Sequence, residues 1–500
     1  MAEAKIGDWF IKNPQRARSN NSVIVKRDDI TRGEFSQIFQ NIKNFGEPGW
    51  VFVDDYQQLL NPCSEICWHI EDTDSSNSTV GFCNLTEING RFCSNKENFL
   101  KACRAASIIG TLQAGYTDFP YLGTETEEFV KREALLGVSI TGWMDNPDIL
   151  FNPEILESGA AVVKETNDKM AKLININPAA RTTCAKPSGH TSCLLSTSSS
   201  IHPHHARRYI RRVQSNKQEF ALDVFKKVNP IAVEESVWSA NKTDDVVSFL
   251  CEVPAGAIVK NQLSAVELLE KVKTAQKHWV RAGINDHLNI YKGLSHSVSN
   301  TITVNPNEWD EVEDYIFKNK EHFTGISLLP SSGDLDYAQA PFATVLSPNE
   351  LIREYGDASV FASGLVVDGL HAFDNNLWKA CDTVLGVGVN LDDAMIEPSY
   401  PQTRNYKALS EYFAHKEEYE GFYAKKEWVR RVQQFANRYF DDDVRKTTYC
   451  LKHVSLWKTW CDLKREYKDI NWIDQIEEQR EYKNIDEQAA VACSAGKCEL

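Results

Sequence analysis

Val298-Ser-Asn-Thr-Ile-Thr-Val304 and Gly325-Ile-Ser-Leu-Leu329 are short runs rich in β-branched and aliphatic residues, the composition of strands. Just ahead of them, residues 265–283 place Val266, Leu269, Val272, Ala275 and Trp279 at an approximate helical period. Working outward, residues 96–114 repeat that period with Phe99, Leu100, Cys103, Ile108 and Leu112, and residues 155–174 read the same way. Ser22-Val-Ile-Val-Lys26 and Val51-Phe-Val53 are further strand-like runs. Helices alternating with short β-rich runs predict an α/β architecture. Beyond about Pro348 the text changes: charge density rises over 404–487 and helical patterning dominates. From Asn484 to Leu500, Ala489-Ala-Val-Ala-Cys-Ser-Ala-Gly-Lys-Cys498 offers little to pack and reads as a mobile tail.

The chain has 500 residues, enough for two to four domains or one large fold with appendages. With 42% hydrophobic and 25% charged residues it is an ordinary globular composition, which excludes disorder and collagen-like structure. It has no apolar run long enough to span a membrane. Met1-Ala-Glu-Ala-Lys-Ile-Gly-Asp-Trp9 lacks the profile of a secretory signal. The net charge of −15 argues against non-specific nucleic-acid binding. Thirteen cysteines without a signal peptide point to a reducing, cytoplasmic setting, where most are small buried hydrophobes. No two CxxC pairs occur, so a structural zinc site has no support in spacing.

Four segments carry groups suited to chemistry. Cys493 and Cys498 are separated by Ser-Ala-Gly-Lys, small and flexible enough to let the sulfurs meet, and Lys497 favours the thiolate. In Asn61-Pro62-Cys63-Ser64-Glu65 a cysteine and a carboxylate two apart share one side of an extended segment. That sets a sulfur nucleophile or radical carrier beside a general base, with the Asn61 amide to orient them. Lys186-Pro-Ser-Gly-His-Thr-Ser192, followed by Ser196-Thr-Ser-Ser-Ser200, is a hydroxyl-rich turn able to present N–H groups to a phosphate, though it lacks a Walker ending. Ile201-His-Pro-His-His205 has three histidines interrupted by Pro203 and no spaced carboxylate or cysteine, so it reads as packing or anion contact and no metal site is assigned. Arg207, Arg208, Arg211 and Arg212 follow as the densest positive cluster of the chain.

Taken in order, Asn-x-Cys-x-Glu, the second cysteine of Gly81-Phe-Cys-Asn-Leu85, Lys-Pro-Ser-Gly-x-Thr-Ser, Ile-His-Pro-His and the Cys-x4-Cys tail resemble the catalytic chain of ribonucleotide reductases. The closest resemblance is to class II, the adenosylcobalamin-dependent ribonucleoside-triphosphate reductases. Arg132-Glu-Ala-Leu-Leu-Gly-Val-Ser-Ile-Thr-Gly-Trp-Met144 and Gly325-Ile-Ser-Leu-Leu-Pro330 look like family segments too. The resemblance covers roughly residues 5–345 and the tail. It implies a ten-stranded α/β barrel, of which this chain supplies the later strands over 1–347, followed by a charged, mainly helical region over 348–483 and a redox-active tail over 484–500.

The resemblance also implies roles. Cys63 would become the thiyl radical that takes the 3′ hydrogen of the ribose, Glu65 would deprotonate the 3′ hydroxyl, and Asn61 would hydrogen-bond the substrate hydroxyls. Cys83 would be half of the reducing thiol pair. Cys493 and Cys498 would re-reduce that pair and pass oxidation to a thioredoxin-like donor. Ser188, Gly189, Thr191 and Ser192 would hold the phosphates of a ribonucleoside tri- or diphosphate. Adenosylcobalamin would be the cofactor, with Ser295-His-Ser-Val-Ser-Asn-Thr-Ile-Thr303 as a candidate contact region.

Two departures stand out. In the family the thiyl motif lies mid-chain, preceded by the other redox cysteine. Here Cys63 stands near the start with no cysteine before it, which predicts the C-terminal piece of a split reductase needing a separately encoded N-terminal fragment. The polar insert Glu71-Asp-Thr-Asp-Ser-Ser-Asn-Ser78 lengthens the step from Cys63 to Cys83, leaving Cys67 and Cys93 as substitutes for Cys83. A class I subunit would need adjacent tyrosines where Lys446-Thr-Thr-Tyr-Cys-Leu-Lys452 has one, and class III would need a glycyl-radical motif. A class I catalytic-subunit fragment served by a metal-containing radical partner is the nearest rival, and a non-catalytic relic or regulatory partner is the other alternative.

Overall fold

A computed structural model describes residues 21–69, 79–331, 334–387 and 415–482, with scattered positions before residue 21. The chain divides into two compact units. The first comprises residues 1–207 and 253–332, the second 208–252 and 333–500. Among the described residues no helix is long and apolar enough to cross a membrane.

The first unit is built on parallel strands joined by helices. Its strands are β1 (Ser22–Lys26), β2 (Gly49–Val53), the short pair β3 (Gln58–Leu60) and β4 (Cys67–His69), then β5 (Leu85–Asn89) and β6 (Gly137–Thr141). The second unit holds β7 (Arg208–Asn216), β8 (Val233–Glu235) and β9 (Asp244–Glu252). The chain returns to the first unit for β10 (Asn300–Val304) and β11 (Gly325–Pro330), and β12 (Phe342–Thr344) lies in the second. The strand-like runs at 22–26, 51–53, 298–304 and 325–329 thus fall on β1, β2, β10 and β11, within two residues at each end.

Helices connect these strands where the sequence periodicity placed them, over Lys96–Ala114, Pro153–Ile174 and Ala265–Ala275. The helix Arg32–Phe45 between β1 and β2 shows why such segments form. The Thr31 side chain accepts from the Glu34 N–H while the Glu34 carboxylate accepts from the Thr31 N–H, so two otherwise unpaired donors are satisfied at its start. Its apolar face carries Phe35, Phe39 and Ile42 onto the strand, with the Phe35 ring 4.6 Å from that of Trp50. Each such side chain, fully buried, contributes about 1.5–3 kcal/mol.

Pairing runs through the first unit as one arc. β5 is parallel to β6; β6 is bridged in parallel at Val138–Thr183 to the extended segment 181–185; that segment is bridged in parallel at Ala185–Val298 to the approach to β10; and β10 is parallel to β11. β11 then meets β2 antiparallel, and β2 is parallel to β1. All five residues of β6 and of β2 are buried, as expected of strands covered on both faces. The expected ten-stranded barrel is therefore seen, among the described residues, as an open arc of seven extended segments, with no closed sheet.

The second unit pairs β12-β7-β9-β8 antiparallel. Ile210, Phe225 and Val247 of this sheet region share a core with Leu456, Trp460 and Leu463 of the helix Val444–Glu466. That shared core explains why residues 208–252 join the C-terminal helices, whereas the sequence reading set the boundary at 347. A second core gathers Ala362, Val366, Phe373, Trp428 and Val432 from those helices. Tyr449 and Cys450 lie on the helix Val444–Glu466, where the Tyr449 hydroxyl donates to Asp336 and Cys450 is buried.

Candidate active site

Residues 61–66 form a tight loop whose path is dictated by its own side chains. The Asn61 carbonyl oxygen accepts from the Ser64 N–H at 2.8 Å, and its side-chain oxygen accepts from the Ile66 N–H at 3.0 Å. Ser64 takes a left-handed backbone, φ 64°, which closes the turn between Cys63 and Glu65.

The arc grips this loop from several strands. The Ser297 N–H donates to the Glu65 carbonyl at 2.9 Å. A Cβ at Gly325, the first residue of β11, would stand 2.7 Å from the Ser64 Cβ, so glycine is what admits the loop there. A Cβ at Gly137 of β6 would stand 2.8 Å from Ile66 Cδ1 and 3.2 Å from Cys184 Sγ. Below the loop, fully buried His296 accepts from the Cys67 N–H through Nδ1, so its Nε2 carries the proton given to the Leu136 carbonyl, both at 3.1 Å. Arg181 donates to the Cys67 carbonyl at 3.0 Å and pairs with Glu133, both nearly inaccessible.

The electrostatics favour neutral thiols beside a poised carboxylate. Burial raises the Glu65 pKa above the usual carboxylate value, against the opposing pull of the Asn61 hydrogen bond and the Lys186 charge. Its Oε2 is buried without a hydrogen-bond partner. Cys63 is exposed as a residue, yet shelter of its sulfur and the nearby Glu65 push its thiol up, with Lys186 opposing. Cys83 is pushed up to about 11 by burial and then by Glu65, with Asn61 and Cys63 also acting on it. The four residues Asn61, Cys63, Glu65 and Cys83 are thereby brought into one electrostatic neighbourhood. Cys67 and Cys93, the substitutes for Cys83, are both buried in packing positions.

Two groups come into view only in the structure. Glu87 lies two residues beyond Leu85 on β5, opposite Ser139 of β6, and the Ser139 hydroxyl accepts from the Lys186 N–H at 3.0 Å. The Lys186 Nζ stands 3.3 Å from the Glu87 carboxylate, which is 6% exposed. The two-residue period of β5 sets Glu87 on the same face as Leu85, the first residue of the strand, which Cys83 precedes by two positions.

The hydroxyl-rich segment folds as a short helical turn, Gly189–Leu194, followed by a loop. Ser188 is fully buried with its hydroxyl unpartnered, Gly189 is exposed and Thr191 is half-buried. The Ser192 hydroxyl instead donates to the Gly189 carbonyl at 2.8 Å. The buried hydroxyls of Ser198 and Ser200 are also without partners, an addition to the expected set. Buried Asp145 anchors the loop, accepting from the Ser198 N–H at 2.9 Å and lying 3.1 Å from His204 Nε2. His202 donates through Nδ1 to the Ser199 carbonyl and accepts through Nε2 from the Thr301 N–H, so the histidine segment packs this loop against β10. Cys493 and Cys498 lie outside the described residues, as do the whole polar insert at 71–78 and the segment from 483 onward.

No protein-family model matches the chain. It is 24% identical over 367 residues to the probable adenosylcobalamin-dependent ribonucleoside-triphosphate reductase of Dictyostelium discoideum, a match covering 67% of this chain and 43% of that protein. It is 25% identical over 373 residues to the adenosylcobalamin-dependent ribonucleoside-triphosphate reductase of Levilactobacillus brevis, covering 65% and 46% respectively. In fold it is similar to the crystal structure of a B12-dependent class II ribonucleotide reductase, with a TM-score of 0.54 at 20% identity over 70% of this chain and 52% of that one. The fold is thus that of the class II ribonucleotide reductases. By sequence the chain is a relative of the adenosylcobalamin-dependent ribonucleoside-triphosphate reductases, and the match spans less than half the length of these curated relatives.

Proposed function

We propose that this chain is the catalytic portion of a class II ribonucleotide reductase, converting ribonucleotides to 2′-deoxyribonucleotides by thiyl-radical chemistry in the reducing cytoplasm. The observation that carries the reading is the loop 61–66 held inside the arc, with the Cys63 thiol kept protonated beside Glu65. A thiolate is a nucleophile, whereas a neutral S–H is the group from which a hydrogen atom is lost, so the raised pKa suits radical work.

In this reading the Cys63 thiyl takes the 3′ hydrogen of the ribose and later returns it. Glu65 accepts the proton of the 3′ hydroxyl, and the Asn61 amide holds the ribose hydroxyls. As the 2′ hydroxyl leaves as water, Cys83 and a second thiol supply two electrons and two protons and end as a disulfide. Cys493 and Cys498 reduce that disulfide by exchange and are themselves reduced by a thioredoxin-like donor. Ser188, Gly189, Thr191 and Ser192, with the unpartnered hydroxyls of Ser198 and Ser200, receive the phosphates of a ribonucleoside tri- or diphosphate.

Adenosylcobalamin, the cofactor named for the relatives, supplies radical initiation when bound. In the segment 295–303, both nitrogens of His296 are committed to the backbone, so this histidine is not a ligand for the group. Ser297 Oγ and Asn300 Oδ1 are buried beside the loop without partners, and these are the atoms that fit polar groups at its periphery. The first half of the barrel and the partner thiol of Cys83 are assigned to a separately encoded N-terminal fragment. In support, β1 and β5 each have one edge unpaired among the described residues.

The test is to combine the chain with such a fragment, a dithiol and a ribonucleoside triphosphate, and to measure deoxynucleotide with and without adenosylcobalamin. Product that depends on adenosylcobalamin supports the assignment. Product that instead requires an iron or manganese partner protein contradicts it.

A further inference from the structure

The second unit carries a cavity of about 410 Å³ unconnected with the residues of the reductase loop, lined by Arg212, Gln214, Trp238, Val246, Tyr337, Gln339 and Pro341. Its floor is sheet: Arg212 and Gln214 share one face of β7, and Val246 of β9 lies opposite Gln214. Its wall is the strap 337–341 that leads into β12. Gln339, in a left-handed backbone of φ 57°, fixes the strap by accepting from the Val237 N–H at 2.9 Å and donating to the Glu235 carbonyl at 2.8 Å. The Trp238 indole N–H donates to the Ala338 carbonyl at 3.0 Å, and Arg212 donates to the Pro341 carbonyl from its backbone and to the Ala340 carbonyl from Nη1. The cavity is therefore built before anything enters it.

Two features of it are costly if it stays empty. Trp238 and Tyr337 meet edge to face at 6.1 Å while remaining 62% and 46% exposed, which leaves aromatic surface in water. The Arg212 side chain is 9% exposed, and its Nε has no hydrogen-bond partner. The carboxylates facing it, Glu234 at 3.9 Å and Asp334, attract it without closing that bond, and Asp334 is already accepting from the Thr344 N–H.

We infer that this pocket binds a small aromatic anion, a planar ring laid against Trp238 and Tyr337 with a phosphate or carboxylate on the free edge of the Arg212 guanidinium. The size suits one ring system and one acidic group. A guanidinium presents parallel donors to either acid, and a low-polarity setting strengthens the contact.

Calorimetric titration of the full chain tests this with two whole probes, adenosine monophosphate and indole-3-acetate, and two half probes, adenosine and inorganic phosphate. At least one whole probe is expected to bind about tenfold or more tightly than either adenosine or inorganic phosphate. Trp238→Ala, at an exposed position, and Arg212→Gln should each weaken that binding by about tenfold, and added salt should weaken it too. If Arg212→Gln does not fold, Trp238→Ala and the salt series decide. Failure of both whole probes to bind at about 1 mM, or binding indifferent to Trp238→Ala and to salt, overturns the inference.

Discussion

Gly325 of β11 lies against Ser64 so closely that a methyl group on it would stand 2.7 Å from the Ser64 Cβ. The contact fixes where Cys63 and Glu65 sit, because Ser64 is the residue between them. Gly325→Ala should therefore displace the loop while leaving the arc folded. Overpacking of this kind costs about 1–3 kcal/mol, and a shift of about 1 Å in a reacting group costs on the order of a hundredfold in rate. The expected result is a near-native melting curve with turnover down about a hundredfold. A steady-state assay beside a thermal melt checks it.

With Glu65 as the proposed base, its ionisation is expected to set the acid side of the pH profile. Burial lifts its pKa above the ordinary carboxylate range, and the Asn61 hydrogen bond opposes the lift by favouring the carboxylate. A base must be ionised, so activity grows as pH rises through this pKa. Asn61→Ala removes the bond, raises the pKa further and moves the acid limb of kcat/KM to higher pH. A limb that moves to lower pH would contradict the assignment.

Lys186 is held by Glu87 and acts on Cys63 in the direction of ionisation. Lys186→Met should raise the Cys63 thiol pKa and slow its alkylation by iodoacetamide at a fixed pH near 9. Mass-spectrometric counting of alkylated Cys63 with time reads this without turnover. Unchanged alkylation would mean that the Lys186 charge does not reach the sulfur.

Much of this site is legible in the residues, and the limits are physical. Asn61, Cys63 and Glu65 sit within one short loop, so their nearness in sequence could be read directly, but the extended path expected for them is instead a turn closed by the left-handed Ser64, φ 64°. The helices over 96–114 and 155–174 were legible because each buries one apolar stripe. Lys186 and Glu87 were not paired by reading, since 99 positions of chain separate residues that the parallel strands bring together. The placement of 208–252 with the C-terminal helices was hidden for the same reason: the apolar residues of Val444–Glu466 do not announce which sheet they cover. Closure of the barrel rested on resemblance alone, and the described strands form an arc.

His453 gives a pH test of the second unit. Its Nδ1 lies 2.7 Å from the Tyr355 hydroxyl, and burial lowers its pKa from 6.5 to about 4. The neutral form is the one the fold tolerates, so its contribution is fully present above pH 6.5 and is lost as pH falls toward 4. The loss amounts to about 3 kcal/mol by linkage. Urea unfolding between pH 7 and pH 4 should show this slope in the native chain and a shallower one in His453→Gln.

Cys63 is the proposed carrier of the radical. The most direct test of that role is deoxynucleotide formation by the reconstituted complex with adenosylcobalamin, comparing the native chain with Cys63→Ser. Serine preserves the shape of the loop, and its O–H bond is too strong to take the place of S–H. Product is expected from the native chain and none from the variant, with nucleotide binding unchanged in both. Turnover retained by Cys63→Ser would contradict that role.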